Sequence, residues 1–261
     1  MIVLGVVWLG WAMVARRIAA LRPRGEEIEA SLMLGLMRAT ARCVHRLRVE
    51  GRDHVPRAPA STVCEGLVIV ANHASGADPI LIQASLPFEV RWIMAQDMRV
   101  GALERLWEFA RVIFVDRRSG DSRGLREALR HLREGGVIGV FPEGFIERPA
   151  RALLPFQEGV GVLIARSGAG VLPVVIDGTP EVDPAWAAIL HPSRSTLRFL
   201  PIWRPAGLSR EEVAPALRRL FQKATGWPLN ERRAEYRDGQ WWYIDPGEGG
   251  VYVSASEVEN R

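Results

Sequence analysis

The chain has 261 residues, 48% of them hydrophobic and 25% charged, with a formal net charge of +4 and a sequence pI of about 9.6. It is long enough for one substantial core and too apolar for a disordered chain. Lys223 is the only lysine, so the basic character rests on arginine, which suits planar recognition of phosphate and carboxylate as well as it suits a GC-rich genome. Cys43 and Cys64 are too few for a disulfide framework and lack zinc-site spacing, which points to a reducing compartment.

Residues 1–15, MIVLGVVWLGWAMVA, carry no charge and are followed by Arg16, Arg17, Arg22 and Arg24. A perpendicular span needs about 20 apolar residues, and a cleaved signal would begin with basic residues. The segment therefore reads as a membrane anchor, partly inserted or oblique, with its arginine side cytoplasmic. Residues 27–48 read as a helix whose first half is apolar and whose end is Arg-rich, a pattern that fits an anionic membrane surface and also fits packing on a core.

From residue 50 onward short apolar runs alternate with helical stretches. The predicted strands are 67–71, 90–95, 112–115, 137–141, 171–176 and 196–203. The predicted helices are 79–86, 102–110, 122–134 and 158–168, the last stopped by glycine. Ser209 and Glu212 form a capping box ahead of a late helix. Beyond Trp227 the tail is polar and Gly-rich apart from WWY at 241–243, and fits a lid, an edge hairpin or a loose end. The pattern predicts an α/β fold: a largely parallel mixed sheet flanked by helices, with N-terminal membrane-associating helices. The expected divisions are an anchoring segment at 1–48, the α/β domain at 49–226 and a tail at 227–261.

Chemistry concentrates at strand ends. The first strand of this region runs into Asn72-His73-Ala74-Ser75-Gly76-Ala77-Asp78-Pro79. Neutral imidazole accepts a proton near neutral pH, and a carboxylate on its other nitrogen fixes the tautomer. The small residues between let Asp78 reach back to His73, while Asp78-Pro79 also reads as a helix cap and first helical residue. A loop histidine beside a helix cap is the plainer alternative. IFVDRR at 113–118, VFPEGFIER at 140–148 and VLPVVIDG at 171–178 also follow or form strands, and ligands of open α/β sheets lie at carboxyl strand ends.

In this order, N-H-x4-D, F-V-D-R, F-P-E-G and V-L-P-V-V resemble the four blocks of the glycerolipid acyltransferase family, which includes 1-acylglycerol-3-phosphate acyltransferases. The resemblance covers residues 50–205. It implies that His73 takes a proton from an acceptor hydroxyl attacking an acyl thioester and that Asp78 orients His73. It implies too that Arg117 binds the acceptor phosphate, that Glu143 and Gly144 shape the acceptor site, and that Pro173 stiffens its wall. No serine nucleophile, metal or cofactor is implied; acyl-CoA or acyl carrier protein is the co-substrate. The expected partners are a lyso-lipid acceptor, that donor and the membrane surface, with no nucleic acid. The expected location is the cytoplasmic face of the inner (plasma) membrane.

The third block departs from the family, which continues T-R-S where this chain has Phe145, Ile146 and Glu147; Arg148 or Arg151 stands in for the arginine. Gln96-Asp97-Met98 occupies the place of an expected lysine. The acceptor is then 1-acylglycerol-3-phosphate or another hydroxyl-bearing lipid. Two rival readings stand beside this one. Gly120-Asp121-Ser122-Arg123-Gly124 fits G-x-S-x-G, followed by Asp177 or Asp183 and His191, the order of a serine esterase or lysophospholipase; yet Ser122 comes too far beyond its strand for a nucleophile elbow. The other rival is an inactive membrane-binding homologue.

Overall fold

The computed structural model describes residues 12–25, 27–56, 66–116, 123–146, 150–237, 240–244 and 252–254. Helix α1 spans residues 12–19 and α2 spans Ile28–Cys43. Strand β1, Arg48–Glu50, precedes β2, Leu67–Ala71, and helix α3, Asp78–Ser85. Then come β3 (Arg91–Ala95), α4 (Glu104–Phe109), β4 (Ile113–Val115), α5 (Arg123–Arg133) and β5 (Val137–Val140). Helix α6 (Glu158–Ser167), β6 (Gly170–Asp177), β7 (Thr196–Phe199) and α7 (Arg210–Thr225) complete the larger unit. Strands β8 (Arg233–Arg237), β9 (Gln240–Ile244) and β10 (Tyr252–Ser254) form a three-stranded antiparallel sheet. The described residues of the tail thus include a hairpin, in a sheet separate from the main one.

The main sheet has seven strands in the order β1-β7-β6-β2-β5-β3-β4, parallel throughout except where β6 meets β7. A parallel strand buried on both faces needs a continuous apolar run, which LVIVA supplies to central β2, buried at every position. Val68 and Val70 face the helical layer of α5, α6 and α7, packing with Leu132, Leu163, Leu217 and Phe221. Leu67, Ile69 and Ala71 face the other way, onto Leu81 and Ile82 of α3 and Ala41 of α2. The sheet is thus covered on both sides, the mixed α/β layer structure expected from the alternation of strands and helices.

Helix α2 ends at Cys43, five residues before the sequence pattern suggested, because the next residues turn into β1. Its buried side carries Ala30, Leu34 and Ala41. Arg38 crosses to α3 and donates to the carbonyls of Ala84 and Leu86, at 3.1 and 3.2 Å, closing that helix's C-terminus. Ile28, Leu32 and Leu36 recur every four residues on another face and are 64%, 53% and 62% exposed. No helix among the described residues is long and apolar enough to cross a membrane. The anchor expected at residues 1–15 lies mostly outside the described residues.

Candidate active site

The parallel strands deliver their carboxyl ends to one edge, and β2 carries the chain into Asn72 and His73 there. Asn72 continues the β2–β6 ladder with its side chain: Nδ2 donates to Ile176 O, and Oδ1 accepts from Ile176 N–H, both at 2.9 Å. A buried amide with both groups paired holds the strand end rigid. His73 therefore leaves a fixed point.

Asp78 comes back to meet it. Its Oδ2 accepts from His73 Nδ1 at 2.9 Å, and from the backbone N–H groups of Ala74 at 2.8 Å and Ser75 at 2.9 Å. These donors compensate one oxygen of a wholly buried carboxylate, whose Oδ1 has no hydrogen-bond partner among the described residues. The carboxylate closes the turn from its C-terminal side rather than capping α3. The N-cap of α3 is Ala77, and Asp78 is itself the first helical residue. The expected capping role gives way because the same oxygen collects the two preceding amides. With Nδ1–H donated to Asp78, Nε2 of His73 carries the free lone pair.

The ring plane is fixed as well. His73 stacks on Phe141, with centroids 4.0 Å apart at 14°, and Phe141 stacks on Trp92 at 4.9 Å and 10°. Room for the indole comes from Gly139, where a Cβ would lie 2.6 Å from a Trp92 ring carbon. The turn below is equally confined. Ser75, fully buried, donates its hydroxyl to Pro180 O at 2.7 Å, and a Cβ on Gly76 would lie 2.2 Å from Ala185 O.

Of the remaining residues expected at the site, Glu143 is only 1% exposed and its Oε1 accepts the backbone N–H of His73 at 3.3 Å. It supports the histidine from behind. Gly144 adopts φ of +76°, a left-handed conformation that favours glycine, and its N–H donates to Phe141 O at 3.2 Å. Gln157, the N-cap of α6, ties this F-P-E-G turn down through Pro142 O at 2.7 Å and Glu143 O at 3.4 Å. Arg117, Arg148 and Ser122 lie outside the described residues. Arg151 is bidentate to Asp177, at 2.9 and 3.0 Å. That pairing occupies both oxygens of Asp177, one of the two carboxylates, with Asp183, that the serine-esterase reading offered. No cluster of three or more His, Cys, Asp or Glu placed to hold a metal occurs among the described residues.

The ring stack, the Asn72 bridge and the Gln157 tie were not read from the sequence. Phe141 lies between Val140 and Pro142, and nothing in the adjoining strand marks it as the partner of the histidine ring.

A sequence model of the family described as Acyltransferase matches residues 46–177, half of the chain, and takes in His73, Asp78, Phe141, Glu143 and Gly144. The chain belongs to the acyltransferase family. Among its relatives, a 1-acyl-sn-glycerol-3-phosphate acyltransferase of Borreliella burgdorferi is 29% identical over 140 residues, 51% of this chain and 52% of that protein. The chain thus spans about half the length of this curated relative. The fold is shared with the crystal structure of the 1-acyl-sn-glycerophosphate (LPA) acyltransferase PlsC from Thermotoga maritima, with a TM-score of 0.59 and 23% identity over 82% of this chain and 85% of that one.

Proposed function

We propose that the protein transfers a fatty acyl group from a thioester donor to the hydroxyl of a lyso-glycerophospholipid, with 1-acylglycerol-3-phosphate as acceptor and phosphatidic acid as product. The observation that carries this reading is the His73–Asp78 pair, held at 2.9 Å at the carboxyl edge of the central strand of an acyltransferase-family chain.

The chemistry follows from the free Nε2. It accepts the proton of the acceptor hydroxyl as that oxygen attacks the thioester carbonyl. The tetrahedral intermediate collapses with cleavage of the C–S bond, and His73 returns the proton to the departing sulfur. Asp78 keeps the ring oriented and faces the imidazolium while it lasts. General-base assistance of this kind contributes roughly 10²–10⁴-fold, and positioning must supply much of the rest. Phosphate binding by Arg117 or Arg148, and a donor of acyl-CoA or acyl carrier protein, belong to the same proposal.

A lipid acceptor requires access to a membrane surface. The exposed Ile28-Leu32-Leu36 stripe of α2 supports docking there, next to a chain end rich in apolar residues. The cytoplasmic face of the inner membrane is the proposed location.

Mass spectrometry of the product after incubation with acyl-CoA or acyl carrier protein and a panel of lyso-lipids tests the assignment. Phosphatidic acid formed in preference to other diacyl lipids is the expected result. A free fatty acid with no acylated acceptor would reject it.

A further inference from the structure

The segment after β6 is bound to the catalytic turn through Ser75 Oγ on Pro180 O, at 2.7 Å, and through the close approach of Gly76 to Ala185 O. It then forms a 3-10 helix, Ala185–Leu190, in which only Ala188 is buried. Trp186 is 71% and Leu190 76% exposed, the most exposed large apolar side chains among the described residues. Two side chains of this size left open on one short helix mark a contact surface.

The far end of this helix is clamped to the region just after α2. His45 is wholly buried; its Nε2 donates to Ile189 O at 3.0 Å, and its Nδ1 lies 2.8 Å from Ser193 Oγ. Ser193 N–H donates to Val44 O at 3.1 Å, and Ser195 N–H to His45 O at 3.0 Å. That lacing brings the neighbouring Arg46 and Arg194, both exposed, to the same corner. Neither forms an ion pair among the described residues. An open tryptophan and leucine beside exposed arginines match an anionic bilayer in both respects. Indole settles at headgroup level, and guanidinium meets lipid phosphate.

We propose that Ala185–Leu190 is a membrane foot, set on an anionic bilayer surface with Trp186 and Leu190 in the interface and Arg46 and Arg194 on lipid phosphates. The inference rests on the reading of the acceptor as a membrane lipid. Because Ser75 and Gly76 fix this foot to the turn that carries His73, the acceptor hydroxyl reaches the imidazole while the lipid stays at the interface.

The test uses full-length protein carrying His73→Ala, so that no turnover is needed, and phosphatidylcholine vesicles with or without phosphatidylglycerol. Lipids brominated in the acyl chain quench tryptophan emission on insertion, and the quenched component is expected to shrink in Trp186→Phe. Trp186→Glu with Leu190→Glu is expected to weaken vesicle binding by about tenfold or more. Arg46→Gln and Arg194→Gln are each expected to weaken it about fivefold, on anionic vesicles only. Quenching unchanged in Trp186→Phe would overturn the proposal, whether or not the glutamate variant folds. Trp186 emission that shifts with protein concentration in the absence of lipid would assign the face to a second copy of the chain and overturn it as well. Failure of acyl transfer by the wild-type protein alongside intact quenching would count against the acceptor and leave the foot standing.

Discussion

Asp78 Oδ2 sits 2.9 Å from His73 Nδ1, with the aspartate wholly buried and the imidazole 18% exposed. One partner is locked into the fold and the other opens to substrate. The division suits a base that must meet a hydroxyl while its tautomer stays fixed. Asp78→Asn keeps an oxygen for the amides of Ala74 and Ser75 but no longer holds the ring as a carboxylate does. Thioester turnover is expected to fall roughly 10³–10⁴-fold, by analogy with triad aspartates. Adding His73→Ala should cost little more, because the pair acts as a unit. Steady-state rates of the two single variants and the double variant check this.

The stack of His73 on Phe141 gives a second prediction. Aromatic pairs of this kind are worth about 0.5–1.5 kcal/mol beyond area burial, or about two- to tenfold in an equilibrium. Phe141→Leu should lower kcat by about that factor with KM for the acceptor little changed, and Phe141→Tyr should restore it. In labelled protein, the His73 ring proton resonances should lose their ring-current shift in the leucine variant and keep it in the tyrosine variant.

Gly76 tests the confinement of the turn. A Cβ there would lie 2.2 Å from Ala185 O, a backbone atom that can move only with its segment. Gly76→Ala is expected to cost about 1–3 kcal/mol of stability and to lower activity with it. Thermal unfolding read beside turnover checks both.

How much of this was legible beforehand follows from physical range. LVIVA announces a buried parallel strand by its own composition, and the small residues between His73 and Asp78 announce a turn tight enough to join them. Both signals are local. The Trp92–Phe141–His73 stack depends on the β3–β5 register, which pairs Trp92 with Gly139, and no pattern within either strand records that. The Asn72 bridge to Ile176 is a long-range pairing of the same kind. Strand β1 covers three residues and buries little, so it left no periodicity to find. Asp78 read as a cap because Asp-Pro commonly starts helices, and only its three-dimensional partners showed it facing the turn.

The fourth prediction concerns pH and stability. Burial, with the nearby Arg91 guanidinium adding to it, holds His131 below the ordinary histidine range, and its ring fills the space above Gly136. The unfolded chain therefore binds this proton more readily than the folded one. Stability from this site is fully present above the unfolded value, near 6.5, and is lost as pH falls through the lower folded value. Urea unfolding at successive pH values should show the decline, and His131→Gln should flatten that part of the curve.

The central claim is tested most directly by thioester release from acyl-CoA in detergent, with and without 1-acylglycerol-3-phosphate, for wild type, His73→Ala and Ser122→Ala. Release that requires the lyso-lipid, collapses in His73→Ala and persists in Ser122→Ala is the predicted outcome. Release that ignores the acceptor and depends on Ser122 would contradict it and make the protein a hydrolase.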